Sequence, residues 1–321
     1  MTIRRYTPGD QHVWNDFVAK AKNATFLFNR EYMDYHSHRF VDHSLLVFGG
    51  DKLMAVFVAN EDKDVIWSHG GLTYGGLVLK KDVTTEEALS YFYHVLKYYS
   101  NSFGSVVYKC FPSEYTQSES AEDLYAMYIL KAELIRRQTS SVLERQAALP
   151  YRKSKRENVV RPAKLGQQYT IVKTNDPLEF WSKVLTPNLR DRFNAAPAHS
   201  AEEMQLLMKR FPSNINLYEI RDNDILGGAV VYIMNDIVHT QYLSATEEGK
   251  KADILDVLVD HLITHVFTDK SRVSLGTSNE DEGKKINRGL ISWKEGFGAR
   301  TRVHDIYRID TSRYIELKDY E

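Results

Sequence analysis

Apolar and polar residues alternate along two stretches of the chain, 44–79 and 215–245. Turn-forming residues break each stretch: Gly49, Gly50, Asp51 and 61–64 in the first, 222–224 and Asn235, Asp236 in the second. Period-two runs bounded this way predict short strands joined by tight turns. A helical period follows each stretch. Over 84–100 the apolar face is Leu89, Phe92, Val95, Leu96 and Tyr99; over 250–267 it is Ile254, Leu255, Leu258, Leu262, Ile263 and Val266. Short apolar runs at 105–109 and 272–275 read as buried strands. Each half then ends in a helix and a strand, at 121–130 and 134–143, and at 284–294 and 300–309. A helical segment carrying one tryptophan opens each half, 11–22 with Trp14 and 177–185 with Trp181. The same order therefore occurs twice. It predicts an α/β (α+β) protein of two domains, 1–150 and 151–321. Each should be a mixed, mostly antiparallel sheet flanked by helices.

The length of 321 residues suits two such domains. A net charge of -1 excludes a global basic field and leaves only local patches for nucleic acid or anionic lipid. One patch is YRKSKRENVVRPAK, 151–164, where six basic residues oppose Glu157. It reads either as a solvated helix or as an anion site. The single cysteine, Cys110, excludes a disulfide framework and a cysteine zinc cage. The start, MTIRRYTPGDQHVW, lacks the apolar region of a secretory signal, and no window holds 18 apolar residues. The expected compartment is the cytoplasm.

The order of elements resembles GNAT-type N-acyltransferases in tandem. Four stretches of the second half resemble the FemAB-like branch: KSKRENVVRPAK (153–164), PAHSAEEMQLL (197–207), IVHTQYLSA (237–245) and LGTSNEDEGKKINRGLISWKEGFGAR (275–300). The last is the most specific, and SHGGLTYGG (68–76) adds a weaker match in the first half. The resemblance covers nearly the whole chain. It implies two acyl-CoA N-acyltransferase folds and an enzyme of the acyltransferase class. Such an enzyme would take an acyl group from acyl-CoA, or an aminoacyl group from aminoacyl-tRNA. The acceptor would be an amine or hydroxyl of a cell-envelope sugar or peptide precursor carried on a lipid or nucleotide. No metal is expected. Because one fold hosts many chemistries, an inactive GNAT module that binds a nucleotide-sugar or a protein is the alternative.

The resemblance also places the ligands. GNAT enzymes hold the CoA pyrophosphate on a loop of the form Q/R-x-x-G-x-G/A at a helix start. Here the equivalent is 246–251, in which Gly249 fits and Lys250 stands beside it, but Thr246 and Lys251 depart from the pattern. Glu247 and Glu248 oppose an anion there. The aromatic–lysine pair of Fem-type enzymes falls on Trp293-Lys294. By that resemblance Lys294 would polarise the donor carbonyl or hold a phosphate of the tRNA terminus; otherwise it is a cation near a helix C-terminus capped by Gly296 or Gly298.

The residues themselves supply the other candidates. There is no G-x-S-x-G elbow, so direct attack on the donor is simpler than a covalent acyl-enzyme. Alternation along 237–245 sets His239 and Gln241 on one face and Tyr242 on the other. His239 is a candidate general base or a core histidine; Gln241 and Tyr242 are candidate substrate contacts. Ser278 and Glu280 follow a strand end, where α/β sheets place ligands, although the same residues suit a helix cap. Glu280 is a second candidate base. Asn287 and Arg300 are candidates for ribose-like hydroxyl and anion contacts. In the first half His69 and Tyr74, set among glycines, line either an acceptor site or two hairpin turns. His36, His38 and His43 have spacing unsuited to a helix end, which argues against metal. His199 precedes a capping box formed by Ser200 and Glu203.

Overall fold

The computed structural model describes residues 1–321, the side chain of Phe193 excepted. The chain forms two compact units. The first comprises Met1–Gln138, Asp281–Lys285 and Val303–Glu321; the second comprises Thr139–Glu280 and Ile286–Arg302.

In the first unit the alternating stretch becomes the strands Leu45–Gly49, Lys52–Val58 and Gly76–Leu79, which with Thr2–Arg5 form an antiparallel four-stranded sheet. The helix Thr85–Tyr99 begins at a capping box, Thr84 with Glu87. Its apolar face, including Leu89, Phe92, Val95 and Leu96, packs with Leu45, Val47, Ala55 and Phe57. The strand Ser105–Lys109 pairs in parallel with Val65–Trp67 and antiparallel with residues 306–310.

In the second unit Thr170–Thr174, Ile215–Asp222, Asp224–Ile233 and Ile237–Ala245 form an antiparallel meander. The strand Arg272–Thr277 joins it in parallel and pairs on its other side with residues 140–144. The helix expected over 250–267 is broken. It consists of Glu247–Lys251, Ile254–His261 and a π-helical turn Leu262–Val266. The break is at Asp253, whose φ of 52° is left-handed and cannot continue a helix. Ile254, Leu258 and Leu262 still share one core with Val231, Val238 and Val273. The capping box at Ser200 and Glu203 forms as read from the sequence. Among the described residues no helix is long and apolar enough to cross a membrane.

Candidate active site

The parallel pairing between Ile237–Ala245 and Arg272–Thr277 runs only from Ile237–Arg272 to His239–Ser274. Beyond His239 the two strands continue without pairing to each other, so the sheet opens there. Two irregularities shape the opening. The first is at Gln241: Val231 faces Thr240 but Val230 faces Tyr242, which makes Gln241 an inserted bulge residue. The bulge overturns the expected alternation. His239 and Tyr242 now lie opposite Tyr232 and Val230, two residues apart on one strand, and so share a face. The second is the register shift between Ser274 and Thr277. Gly276 there has φ 73°, and a Cβ added to it would lie 3.3 Å from His239 Cε1.

His239 Nδ1 lies 3.0 Å from the buried Ser274 Oγ. Gly276 is also reached by Lys294, carried by the helix Arg288–Glu295. Asn287 caps that helix by accepting a hydrogen bond from the Leu290 amide at 2.9 Å. Lys294 is only 4% exposed, and its Nζ donates to the carbonyls of Gly276 at 2.9 Å and Thr277 at 2.6 Å. No carboxylate among the described residues forms an ion pair with it. Burial alone pushes its pKa down to about 8. A lysine held by backbone carbonyls thus sits beside the opening, and a histidine approaches the same glycine.

The neighbouring Trp293 fixes the helix. Its Nε1 donates to Asp256 Oδ1 at 2.7 Å. Asp256 is buried and also accepts from Lys155 at 2.7 and 2.9 Å and from Asn158 at 2.8 Å. Lys155 Nζ lies 4.8 Å from the Trp293 ring centroid and 5.0 Å from that of Phe297. The basic stretch is therefore a helix, Lys153–Lys164, anchored by one buried cation. Arg161 adds a contact to Asp253 at 2.9 Å. Sequence reading missed Asp256. Its signal was a carboxylate inside the apolar run ILDVLV, 254–259.

No family profile and no curated protein matches the sequence. Solved structures do. FemX superposes with a TM-score of 0.66 at 10% identity, covering 95% of this chain and 97% of FemX. The C-terminal domain of a lysylphosphatidylglycerol synthetase from Agrobacterium fabrum gives 0.63 at 10% identity, over 97% of this chain and 95% of that one. A tandem GNAT protein from the clavulanic acid biosynthesis pathway gives 0.52 at 10% identity, over 97% and 98%. The chain has the FemAB-like tandem GNAT fold.

Within this tandem GNAT fold the other candidates fall into distinct roles. Tyr242 is half-buried and packs against Trp181, whose ring lies 5.3 Å away edge-on. Its hydroxyl lies 2.7 Å from His199 Nδ1, and burial pushes its pKa up to about 12. Ser278 is buried, and its hydroxyl has no hydrogen-bond partner. Glu280 is exposed and accepts from Asn287 Nδ2 at 2.7 Å. Arg300 is exposed and donates to the Ala299 carbonyl. The GNAT phosphate loop is poorly suited to an anion. The Gly249 amide donates to Thr246 Oγ1 at 3.0 Å, and a Cβ on Gly249 would lie 2.3 Å from the Leu226 carbonyl, so this glycine serves packing. Lys250 is held by Asn188 and Glu247, both at 2.5 Å, and Glu247 and Glu248 fill the first turn. The Gly249 amide and the Lys250 ammonium are thus already engaged by groups of the chain itself.

In the first unit Tyr74 is a core residue. It is 2% exposed, its ring lies 4.7 Å from that of Phe111, and its hydroxyl bonds to Thr25 Oγ1 at 2.9 Å. His69 is buried with φ 64° and stacks on His36 at 5.3 Å. The glycines beside them serve this packing, since a Cβ on Gly71 would lie 2.4 Å from His36 Nε2. Lys109 Nζ holds the turn by donating to the carbonyls of His69 at 3.0 Å and Leu72 at 2.7 Å. The histidines do not converge: His43 Nδ1 instead lies 2.5 Å from Glu61 Oε2.

Burial pushes the His69 pKa down to about 3, below the ordinary 6.5. Between these values the unfolded chain binds the proton that the folded chain refuses. The stability contributed by neutral His69 is therefore complete above pH 6.5 and is lost as pH falls toward 3. Thermal melts across that window should show a steeper acid loss in the wild type than in His69→Asn, a residue that tolerates positive φ. Equal slopes in the two proteins would remove His69 from the acid response.

Proposed function

We propose that this protein is an acyltransferase whose second unit carries the chemistry, and that its preferred donor is an aminoacyl ester of tRNA. The observation that carries the reading is the opening of the sheet after His239 with Lys294 fixed beside it. The amine of the acceptor attacks the ester carbonyl of the donor. His239 takes the proton from the attacking nitrogen, and the Lys294 ammonium stabilises the oxyanion of the tetrahedral intermediate. Collapse breaks the carbon–oxygen ester bond, and the proton on His239 passes to the leaving ribose oxygen. The amide and the free tRNA hydroxyl are the products.

Three features support an ester of tRNA over a CoA thioester. The 246–251 turn disfavours pyrophosphate. The outer side of Lys153–Lys164 leaves Lys153, Arg156 and Lys164 exposed for a phosphate backbone. The fold is shared with FemX and with lysylphosphatidylglycerol synthetase. By the same likeness the acceptor is an amine or hydroxyl on a peptide, sugar or lipid-linked precursor of the cell envelope. We further propose 1–150 and 151–321 as the two repeats of the duplication, although the compact units exchange their final strands.

The test is an assay with two donors, mixed aminoacyl-tRNA and a panel of acyl-CoAs, each with nucleotide-linked sugar and peptide acceptors. Product from the tRNA arm is expected, together with a salt-sensitive gel shift of labelled tRNA. Product from the CoA arm alone would replace the donor. Silence in both arms, with a thermal shift by a nucleotide-sugar, would replace the enzyme with a binding module.

A further inference from the structure

A cavity of about 380 Å³ opens in the first unit between the helix Gln11–Val18, the start of the strand Lys52–Val58 and residues 80–82. Its volume lies within the range of small-ligand sites, roughly 300–1,000 Å³. Val13 and Phe17, one helical turn apart, form its floor with Leu53. Val13 is 40% exposed, so this apolar floor faces solvent.

Lys20, Lys80 and Lys81 stand around it. Among the described residues none of the three has a carboxylate within ion-pair distance. The Lys80 ammonium donates to Met54 Sδ at 3.3 Å, a weak acceptor. Burial and repulsion from Lys52 act against its charge and outweigh the attraction of Asp82 and Glu87. Asp16 and Asp82 stand in the lining against the three lysines, so the acids offset two of the three ammonium groups and one positive charge is left over. The site is therefore positive at its edge and made of carbon at its floor. A sugar or nucleobase would find few polar partners on that floor, whereas a hydrocarbon chain needs none.

We propose that this groove binds a phosphate-headed hydrocarbon chain, with the chain on Val13, Phe17 and Leu53 and the phosphate among Lys20, Lys80 and Lys81. The lysine stems extend the apolar floor while their ammonium groups meet the anion. The site is independent of the transfer reaction proposed for the second unit.

Calorimetric titration of the full chain with decyl phosphate, below its micellar concentration, tests this. Parallel titrations use decyl maltoside and inorganic phosphate. Saturable binding of decyl phosphate that weakens with added salt is expected. The Lys20→Ala, Lys80→Ala double variant should bind about tenfold more weakly with an unchanged melting temperature. Val13→Asp, at an exposed position, should also weaken binding and provides the reading if the double variant fails to fold. Equal affinity for decyl maltoside would show a purely apolar patch, and equal affinity for inorganic phosphate a general anion patch. Either result overturns the proposal, as does the absence of saturable decyl phosphate binding.

Discussion

Asp256→Ala should destabilise the second unit by about 3–5 kcal/mol, because it leaves the Lys155 ammonium buried without a counter-charge. In a unit of this size that loss lowers the melting temperature by on the order of 10 °C. The substitution also frees the Trp293 indole N–H and the Asn158 amide, each bonded to the same carboxylate. Pairing Asp256→Leu with Lys155→Met should recover most of the loss, since buried ion pairs often exchange for apolar pairs at little cost. Urea unfolding of the wild type and the two variants measures this. A loss below about 1 kcal/mol for Asp256→Ala would show that Lys155 escapes to water and that the pair does not anchor the helix of Lys294.

Lys294→Met should lower kcat/KM for transfer by about 10²- to 10³-fold, the range for loss of one oxyanion donor. The pH profile carries a second signature. With its pKa near 8 in the folded protein, the Lys294 cation is lost as pH rises through that value, and transfer should fall with it. The descending limb should be absent from the residual activity of Lys294→Met. Stability has the opposite sign. The unfolded lysine keeps its proton up to the ordinary 10.5, so between about 8 and 10.5 the unfolded state binds more protons and folding gains with pH. Lys109, pushed down to about 8 by burial, adds to the same trend. A wild-type profile flat through pH 8 would exclude the Lys294 charge from the rate-determining step.

Much of the local structure was legible in the sequence because local rules govern it. Alternation and turn residues located the meanders, and the 3.6-residue period located Thr85–Tyr99 almost to its ends. What escaped depended on contacts distant in sequence. Nothing in TQY marks Gln241 as a bulge, since the insertion exists only relative to the facing strand. The break at Asp253 could not be seen because no glycine or proline stands at that position to mark it. Lys155 looked like one more solvated cation, and only the fold brings Asp256 and Trp293 around it. Tyr74 and His69 looked like ligand contacts because glycines surround them; those glycines instead make room for His36 and Ser68.

The strand Ser105–Lys109 is completed on one side by residues 306–310, with Ser105 opposite Asp310 and Lys109 opposite Ile306. Residues 140–144 belong likewise to the sheet of the second unit. During synthesis, therefore, the first unit cannot close when its own half of the chain has left the ribosome. It must wait, with one strand edge unpaired, until nearly all of the second half has been made. Pairings this distant in sequence fold slowly and leave open edges prone to aggregation in the interval.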